Sequence, residues 1–237
     1  MESNCSEIVA KYFEGKSIPE DARFLWVFDL GRIPFSHAWK LQKELVEKRS
    51  CDQIADILLF AEHNDVYTCG KKLLSSGTPL KNLSGIPFHF VERGGSETYH
   101  GPGQIIGYPI LKLRNEEKNI HRYLRNLEEV LIRTVQDLGL PARRNDGQTG
   151  VWVGDKKIAS IGIAIKKWVS YHGFALNHST NLLKFQLIRP CGLNPESISS
   201  LRKLLGKPVD REVIINLCLK YFAEIFERYI IPGNEFT

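Results

Sequence analysis

Between Arg93 and Ile110 the chain reads RGGSETYHGPGQIIGYPI: five glycines and two prolines, interleaved with an arginine, a histidine and two tyrosines. Glycine-rich loops cradle phosphates when their spacing lets backbone N–H groups converge on an anion. The spacing here does not. A P-loop needs G-x-x-x-x-G-K-[ST], and Gly70-Lys71-Lys72 lacks both the leading glycine and the hydroxyl. A dinucleotide fingerprint needs G-x-G-x-x-G opening a helix, whereas Gly101-Pro102-Gly103 runs through Gly107 into the strand-like IIGYPILKL. Two readings remain. The glycines let the backbone approach a ligand closely, bracketed by Arg93 and His100, or they supply positive φ in a tight connection between strands.

The other reactive side chains narrow the chemistry. Seven histidines form neither H-x-x-x-H nor H-E-x-x-H, so no zinc site is expected. No G-x-S-x-G elbow supplies an activated serine. Of the five cysteines (Cys5, Cys51, Cys69, Cys191 and Cys218), Cys191 in the turn RPCGL is the best placed nucleophile. A lone cysteine is more often a small buried hydrophobe, and the residue alone does not choose between the two.

These residues must be held by a mixed set of elements. FLWVFDLG (Phe24–Gly31), DILLFAEH (Asp56–His63) and FHFVERGG (Phe88–Gly95) predict strands, and PFSHAWKLQKELVEKR (Pro34–Arg49) predicts a helix with proline in its first turn. A second helix starts after Asn119, with Ile120, Tyr123, Leu124, Leu127, Val130 and Leu131 on one face, and stops at Gly139 and Pro141. VWVGDKKIASIGIAI (Val151–Ile165) predicts a hairpin turning at Gly154-Asp155, and SYHGFALNHS (Ser170–Ser179) a further strand. Asp210 is a fitting N-cap for a last helix carrying Val213, Ile214, Leu217, Tyr221 and Phe222. The strands come in antiparallel-looking groups, which favours α+β over a doubly wound parallel sheet.

Composition excludes several classes. A chain of 237 residues with 43% hydrophobic and 25% charged residues can bury the core of one large domain. It has no run of 18 apolar residues, so no membrane span is expected. MESNCSEIVAKYFEGKSIPEDAR balances acids with bases and has no apolar h-region, so neither a secretory signal nor a transit peptide is expected. The odd, scattered cysteines with no C-x-x-C pair read as reduced thiols of a cytoplasmic protein. A net charge of +5 favours an acidic partner, but the basic pairs are scattered and accompany no nucleic-acid-binding signature.

Taken in order, RGGSETYHGPGQIIGYPI, TGVWVGDKKIASIG, SYHGFALN and PCGL resemble the lipoyl(octanoyl) transferase family, the octanoyl-acyl-carrier-protein:protein octanoyltransferases of lipoate biosynthesis. The resemblance runs from about residue 24 to residue 205. It implies an α/β (α+β) fold: a single domain over residues 24–237 like the catalytic modules of biotin and lipoate protein ligases, a mixed sheet flanked by helices. Residues 1–23 would be an N-terminal extension. It assigns the acyl pocket to Arg93, Gly94, Gly95, Ser96, Glu97, Thr98, Tyr99 and His100, to Ser160, Ile161 and Gly162, and to Gly173, Phe174 and Ala175. It makes Cys191 the acyl-thioester nucleophile and Lys157 the residue that lowers the cysteine pKa and serves as general acid and base. Octanoyl-acyl carrier protein would be the donor, and lipoyl domains of 2-oxoacid dehydrogenase E2 subunits and the glycine cleavage H protein the acceptors. No cofactor, metal, nucleic acid or membrane is implied. Asn181 stands where an acid is common and Ser199 where threonine is usual, both expected to lie clear of the reactive pair.

The residue types suit that chemistry. Exchange of one thioester for another is nearly balanced, and its passage to a lysine amine forms an amide downhill, so no nucleotide is needed. A thiol of ordinary pKa (about 8.5) is mostly protonated at neutral pH and needs a cationic neighbour. Backbone amides near Arg93 or Gly162 would hold the tetrahedral oxyanion. Read without the resemblance, Lys157 is a solvated hairpin residue like Lys156, and His100 is either a substrate-positioning group or a loop brace. Two alternatives stay in view. An ATP-dependent lipoate–protein ligase should lack the paired Lys157 and Cys191 motifs, and a non-catalytic acyl- or carrier-binding module would have no use for them.

Overall fold

The computed structural model describes residues 23–74 and 85–233; the expected N-terminal extension lies outside the described residues except for Arg23. The chain order is β1 (Phe24–Arg32), α1 (Phe35–Ser50), β2 (Asp56–Glu62), β3 (Val66–Cys69), α2 (Lys71–Leu74), β4 (Phe88–Phe90), β5 (Glu97–His100) and β6 (Gln104–Ile110). It continues with α3 (Ile120–Asp137), β7 (Ala142–Asn145), β8 (Gln148–Val153), β9 (Lys156–Lys166), β10 (Val169–Asn177), α4 (Leu201–Leu205), α5 (Arg211–Phe226) and β11 (Tyr229–Pro232). Among the described residues eight strands form one sheet in the order β11-β1-β2-β6-β10-β9-β8-β7, and β4-β3-β5 form a smaller second sheet.

The large sheet is mixed. β1 runs parallel to β2 and β11, while the pairs from β2 across β6, β10, β9 and β8 to β7 are antiparallel. Side chains that alternate along β2 explain why that strand is buried on both faces. Leu58 and Phe60 join the core under α3 and α5, and Ile57, Leu59 and Ala61 join the core under α1. Helices therefore cover both sides of the sheet. Asn119 caps α3 through its side chain, accepting from Arg122 N–H at 2.9 Å, and Asp210 caps α5 from Glu212 N–H at 3.0 Å. The hairpin turns at Gly154, whose φ of +59° suits glycine.

Two expectations need correction. The stretch predicted as one strand from Phe88 to Gly95 stays extended only to Phe90, because Gly94 and Gly95 then wrap around the chain at Gly70. The apolar face of α3 does not all enter the core. Tyr123, Leu127, Val130 and Leu131 are buried, but Ile120 is 46% exposed and Leu124 half-buried, and both line a cavity instead.

Candidate functional site

The Arg93–Ser96 loop is built by its own backbone. Lys71 and Lys72 N–H donate to the carbonyls of Arg93 and Gly95 at 3.0 and 3.1 Å, and Gly70 N–H donates to Ser96 O at 3.1 Å. The loop carbonyls thus meet the first N–H groups of α2. The approach is so close that a Cβ on Gly70 would stand 2.5 to 2.8 Å from the carbonyl oxygens of Gly95, Arg93 and Gly94. On its other side the loop is tied to the large sheet: Gly94 N–H donates to Ile163 O at 3.0 Å. That N–H is spent on the sheet, which removes it from the expected oxyanion donors.

Arg93 is buried, with Nη2 donating to Thr68 O and Thr68 Oγ1, both at 2.9 Å, and Nη1 to Gly94 O at 3.0 Å. From Thr68 the hydrogen bonds continue. His100 Nε2 lies 3.3 Å from Thr68 Oγ1, and His100 Nδ1 lies 2.8 Å from Gln104 Oε1. Gln104 Nε2 donates to Asn177 Oδ1 at 2.8 Å, and Asn177 Nδ2 to Ser199 O at 2.9 Å. With Gln104 and Arg93 donating elsewhere, His100 carries its proton on Nδ1 and accepts from Thr68. Burial, with His63 and Arg93 nearby, lowers its pKa to about 3, so the ring is neutral at physiological pH. His100 holds the loop and forms cavity wall at once.

Lys157 has only 4% of its surface exposed. Its Nζ donates to Thr149 O at 2.8 Å and lies 5.7 Å from the centre of the Trp152 ring. Ser199 N–H donates to the Lys157 carbonyl at 2.9 Å, and Ile198 forms a parallel bridge with Lys157. Ser199 therefore does touch Lys157, through backbone, against the expectation that it would lie clear of it. Lys157 is therefore not the solvated hairpin residue it reads as without the resemblance, and its neighbour Lys156 is itself half-buried, donating to Glu196 O at 3.3 Å.

Two cavities occupy this region. The outer one, about 400 Å³, is lined by Lys157, Thr149, Ser96, Lys72, Leu193 and the first turns of α3 through Ile120 and Leu124. The inner one, about 50 Å³, is lined from the loop by Arg93, Gly94 and Gly95, and from β5 by Thr98 and His100. β9 adds Ser160, Ile161 and Gly162, and β10 adds Gly173, Phe174 and Ala175. Gly94, Gly95, Ile161 and Gly162 line both cavities, so the two adjoin across that neck. Glycines make the room: Gly173 pairs with Gly162, and Phe174 with Gly107, where a Cβ would fall 2.1 Å from the Phe174 ring.

Some expected residues lie elsewhere. Tyr99 is fully buried beside Tyr67 and Phe185 and donates from its hydroxyl to Asp65 at 2.7 Å, outside the lining of both cavities. Glu97 also lies outside both linings and accepts from Arg189 N–H at 3.2 Å. That bond ties down the Pro190–Gly192 turn, which carries Cys191 and is followed by the cavity residue Leu193. The Cys191 side chain lies outside the described residues. Phe35, Thr68, Val91, Ile106, Tyr108 and His172 line the inner cavity without having been expected. His172 had a signal in the SYHGFALN motif; Phe35 and Val91 had none, since they meet only in three dimensions.

Among the described residues no group of three histidine, cysteine or acidic side chains converges as a metal site would, and no helix is long and apolar enough to cross a membrane. A family description of the lipoyl protein ligase A/B catalytic domain matches residues 34–223. An octanoyltransferase of Alkaliphilus metalliredigens is 44% identical over 215 residues, covering 88% of this chain and 98% of its own. The lipoate protein ligase of Thermoplasma acidophilum superposes with a TM-score of 0.66 at 15% identity, over 90% of this chain and 88% of its own. The biotin protein ligase of Aquifex aeolicus, solved with biotin and ATP, gives 0.54 at 15% identity, over 86% and 70%.

Proposed function

The chain belongs to the octanoyltransferases of the lipoyl protein ligase A/B catalytic family, and from that premise we propose how it works. The enzyme transfers an octanoyl group to lipoyl domains. Cys191 attacks the thioester carbonyl of octanoyl-acyl carrier protein; the new bond is Cys191 S–C(O), the bond broken is to the carrier sulfur, and the carrier thiolate takes up a proton. The acceptor lysine amine then attacks the Cys191 thioester, forming the amide and returning the cysteine sulfur. Lys157 serves both halves, first as the cation that favours the Cys191 thiolate and then as the base towards the acceptor amine. The octanoyl chain threads the neck between Gly94, Gly95, Ile161 and Gly162 into the inner cavity.

One observation carries this reading. A buried lysine, Lys157, shares a roughly 400 Å³ cavity with Leu193, two residues beyond Cys191, and that cavity adjoins an inner slot whose lining mixes glycines and apolar side chains with mutually hydrogen-bonded polar ones. An acceptor amine and a reactive carbonyl have room in the outer cavity, and an alkyl chain has its place in the inner one. The Thr149 carbonyl fixes Nζ at the cavity wall. Lipoyl domains of 2-oxoacid dehydrogenase E2 subunits and of the glycine cleavage H protein are the proposed acceptors. The proposed compartment is the cytoplasm, where the free thiols Cys51, Cys69 and Cys218 stay reduced.

The test combines octanoyl carrier, apo lipoyl domain and enzyme, with and without ATP. Equal amide formation in both supports the reading. Transfer that appears only with ATP and free octanoate would make the protein a ligase instead.

A further inference from the structure

Phe35 of α1 and His172 in the middle of β10 both line the inner cavity and not the outer one, and His172 is a backbone anomaly. His172 sits inside a paired strand, opposite Ile163, yet has φ +55°. A non-glycine residue held there is strained and persists only where its surroundings over-determine it. The surroundings are specific. The fully buried Gln42 of α1 accepts from His172 N–H through Oε1 at 2.8 Å. His172 Nε2 lies 3.4 Å from Glu92 Oε2, and the same oxygen accepts from Trp39 Nε1 at 3.0 Å. Trp39 stacks on Phe35 at 6.0 Å, and Phe35 stacks on His100 at 6.2 Å.

Three α1 residues one helical turn apart, Phe35, Trp39 and Gln42, thus fix a hydrogen-bonded wall on one side of the slot. The wall is neutral on its imidazole side: burial lowers the His100 and His172 pKa values. Its side chains are mutually engaged, so they do not yield space as a loose apolar core would. His172 and Phe35 line the inner cavity and not the outer one, which Lys157 lines.

We propose that His172 sets the length of acyl chain the enzyme accepts, with Gln42 as the positioning residue that holds it in its left-handed conformation. The inference rests on the octanoyl-transfer reading, since it takes the slot as the alkyl site. A chain one or two methylenes too long must push its terminal methyl into the His172–Glu92 and Phe35 wall. A shorter chain leaves the slot partly empty. One methylene in such a pocket discriminates by roughly 10- to 200-fold.

The experiment measures kcat/KM for hexanoyl, octanoyl, decanoyl and dodecanoyl carriers with wild type, His172→Asn and Gln42→Leu. Asparagine tolerates the left-handed region and shortens the side chain, so the strand geometry survives while the wall recedes. His172→Gly, which suits the same φ, stands in if the asparagine variant is poorly folded by circular dichroism. In His172→Asn the decanoyl-to-octanoyl ratio should rise by about tenfold or more. Gln42→Leu should raise the same ratio without touching the slot. A merely structural role would depress all chain lengths in parallel, and unchanged ratios in folded variants would overturn the inference while leaving octanoyl transfer intact. A wild type that transfers no acyl group at all would overturn the transfer reading and this one with it.

Discussion

Gly150 lies against the side chain of Lys157: a Cβ at residue 150 would stand 2.6 Å from Lys157 Cε and 3.2 Å from Nζ, and 2.5 Å from Ala159 O. Its φ of +135° lies outside what other residues readily adopt. Its N–H donates to Oε1 of the buried Glu128 at 3.0 Å, which anchors the start of β8 on α3. Gly150→Ala must therefore move the lysine or the hairpin. We expect octanoyl transfer to fall by about 100-fold or more, the scale on which a misplaced catalytic group is felt, with loss of roughly 1–3 kcal/mol in stability. Steady-state rates beside a thermal melt separate the two effects. Full activity in a stable variant would show that the Lys157 position is uncritical.

Lys157→Met removes the ammonium while keeping apolar bulk. Transfer should fall by about 10²- to 10⁴-fold, the usual contribution of a general base. Alkylation of Cys191 by iodoacetamide should slow at pH 7, with its pH midpoint shifted upward. Lys157→Arg keeps a cation that does not deprotonate, so it should preserve much of the alkylation and still fail at transfer. An unchanged alkylation profile in Lys157→Met would separate the lysine from the cysteine.

The buried histidines predict acid lability. Burial lowers the pKa of His63 to about 4 and that of His100 to about 3, against 6.5 for an ordinary imidazole. The unfolded chain takes up these protons first as pH falls. Their stabilising contribution is thus complete above pH 6.5 and declines from there towards pH 4 and 3, by about 1.4 kcal/mol per pH unit for each ring. Urea unfolding at pH 7.5, 5.5 and 4.5 reads this. His63→Gln, which loses one titrating group, should flatten the curve; an identical slope would contradict the assignment.

Much of this architecture was legible in the chain. Helical periodicity marked α1, α3 and α5, and Asn119 and Asp210 announced two of their starts because side-chain capping is local. The strands β3, β5, β7 and β11 were missed: each has four residues, too few to show an alternation. The lining of the two cavities was legible where a motif is contiguous, as at Arg93–Ser96, Thr98 and His100, and at Lys157 and Ser160–Gly162. Phe35 and Gln42 were not, since their roles arise when α1 packs across β10, nor was Val91, which meets Phe35 only in three dimensions. Tyr99 shows the opposite limit. A motif position names a neighbourhood, and strand alternation turns that ring towards Tyr67 and away from the slot.

Donor docking should be sensitive to salt. The net charge of +5 favours an acidic carrier, and exposed charges are screened within about 10 Å at 0.1 M salt. The KM for octanoyl carrier should rise as ionic strength increases from 50 to about 300 mM, with kcat little changed. A KM that ignores salt would leave the charge without a role in docking.

The proposed mechanism passes through a covalent acyl enzyme on Cys191. Enzyme mixed with a stoichiometric amount of octanoyl carrier, without acceptor, is quenched in acid within one turnover, digested, and read by mass spectrometry. An octanoyl group is expected on the Cys191 peptide and should disappear on adding apo lipoyl domain, as the amide appears. Amide formation at the wild-type rate in Cys191→Ala, or an acyl group trapped on any other residue, would contradict it.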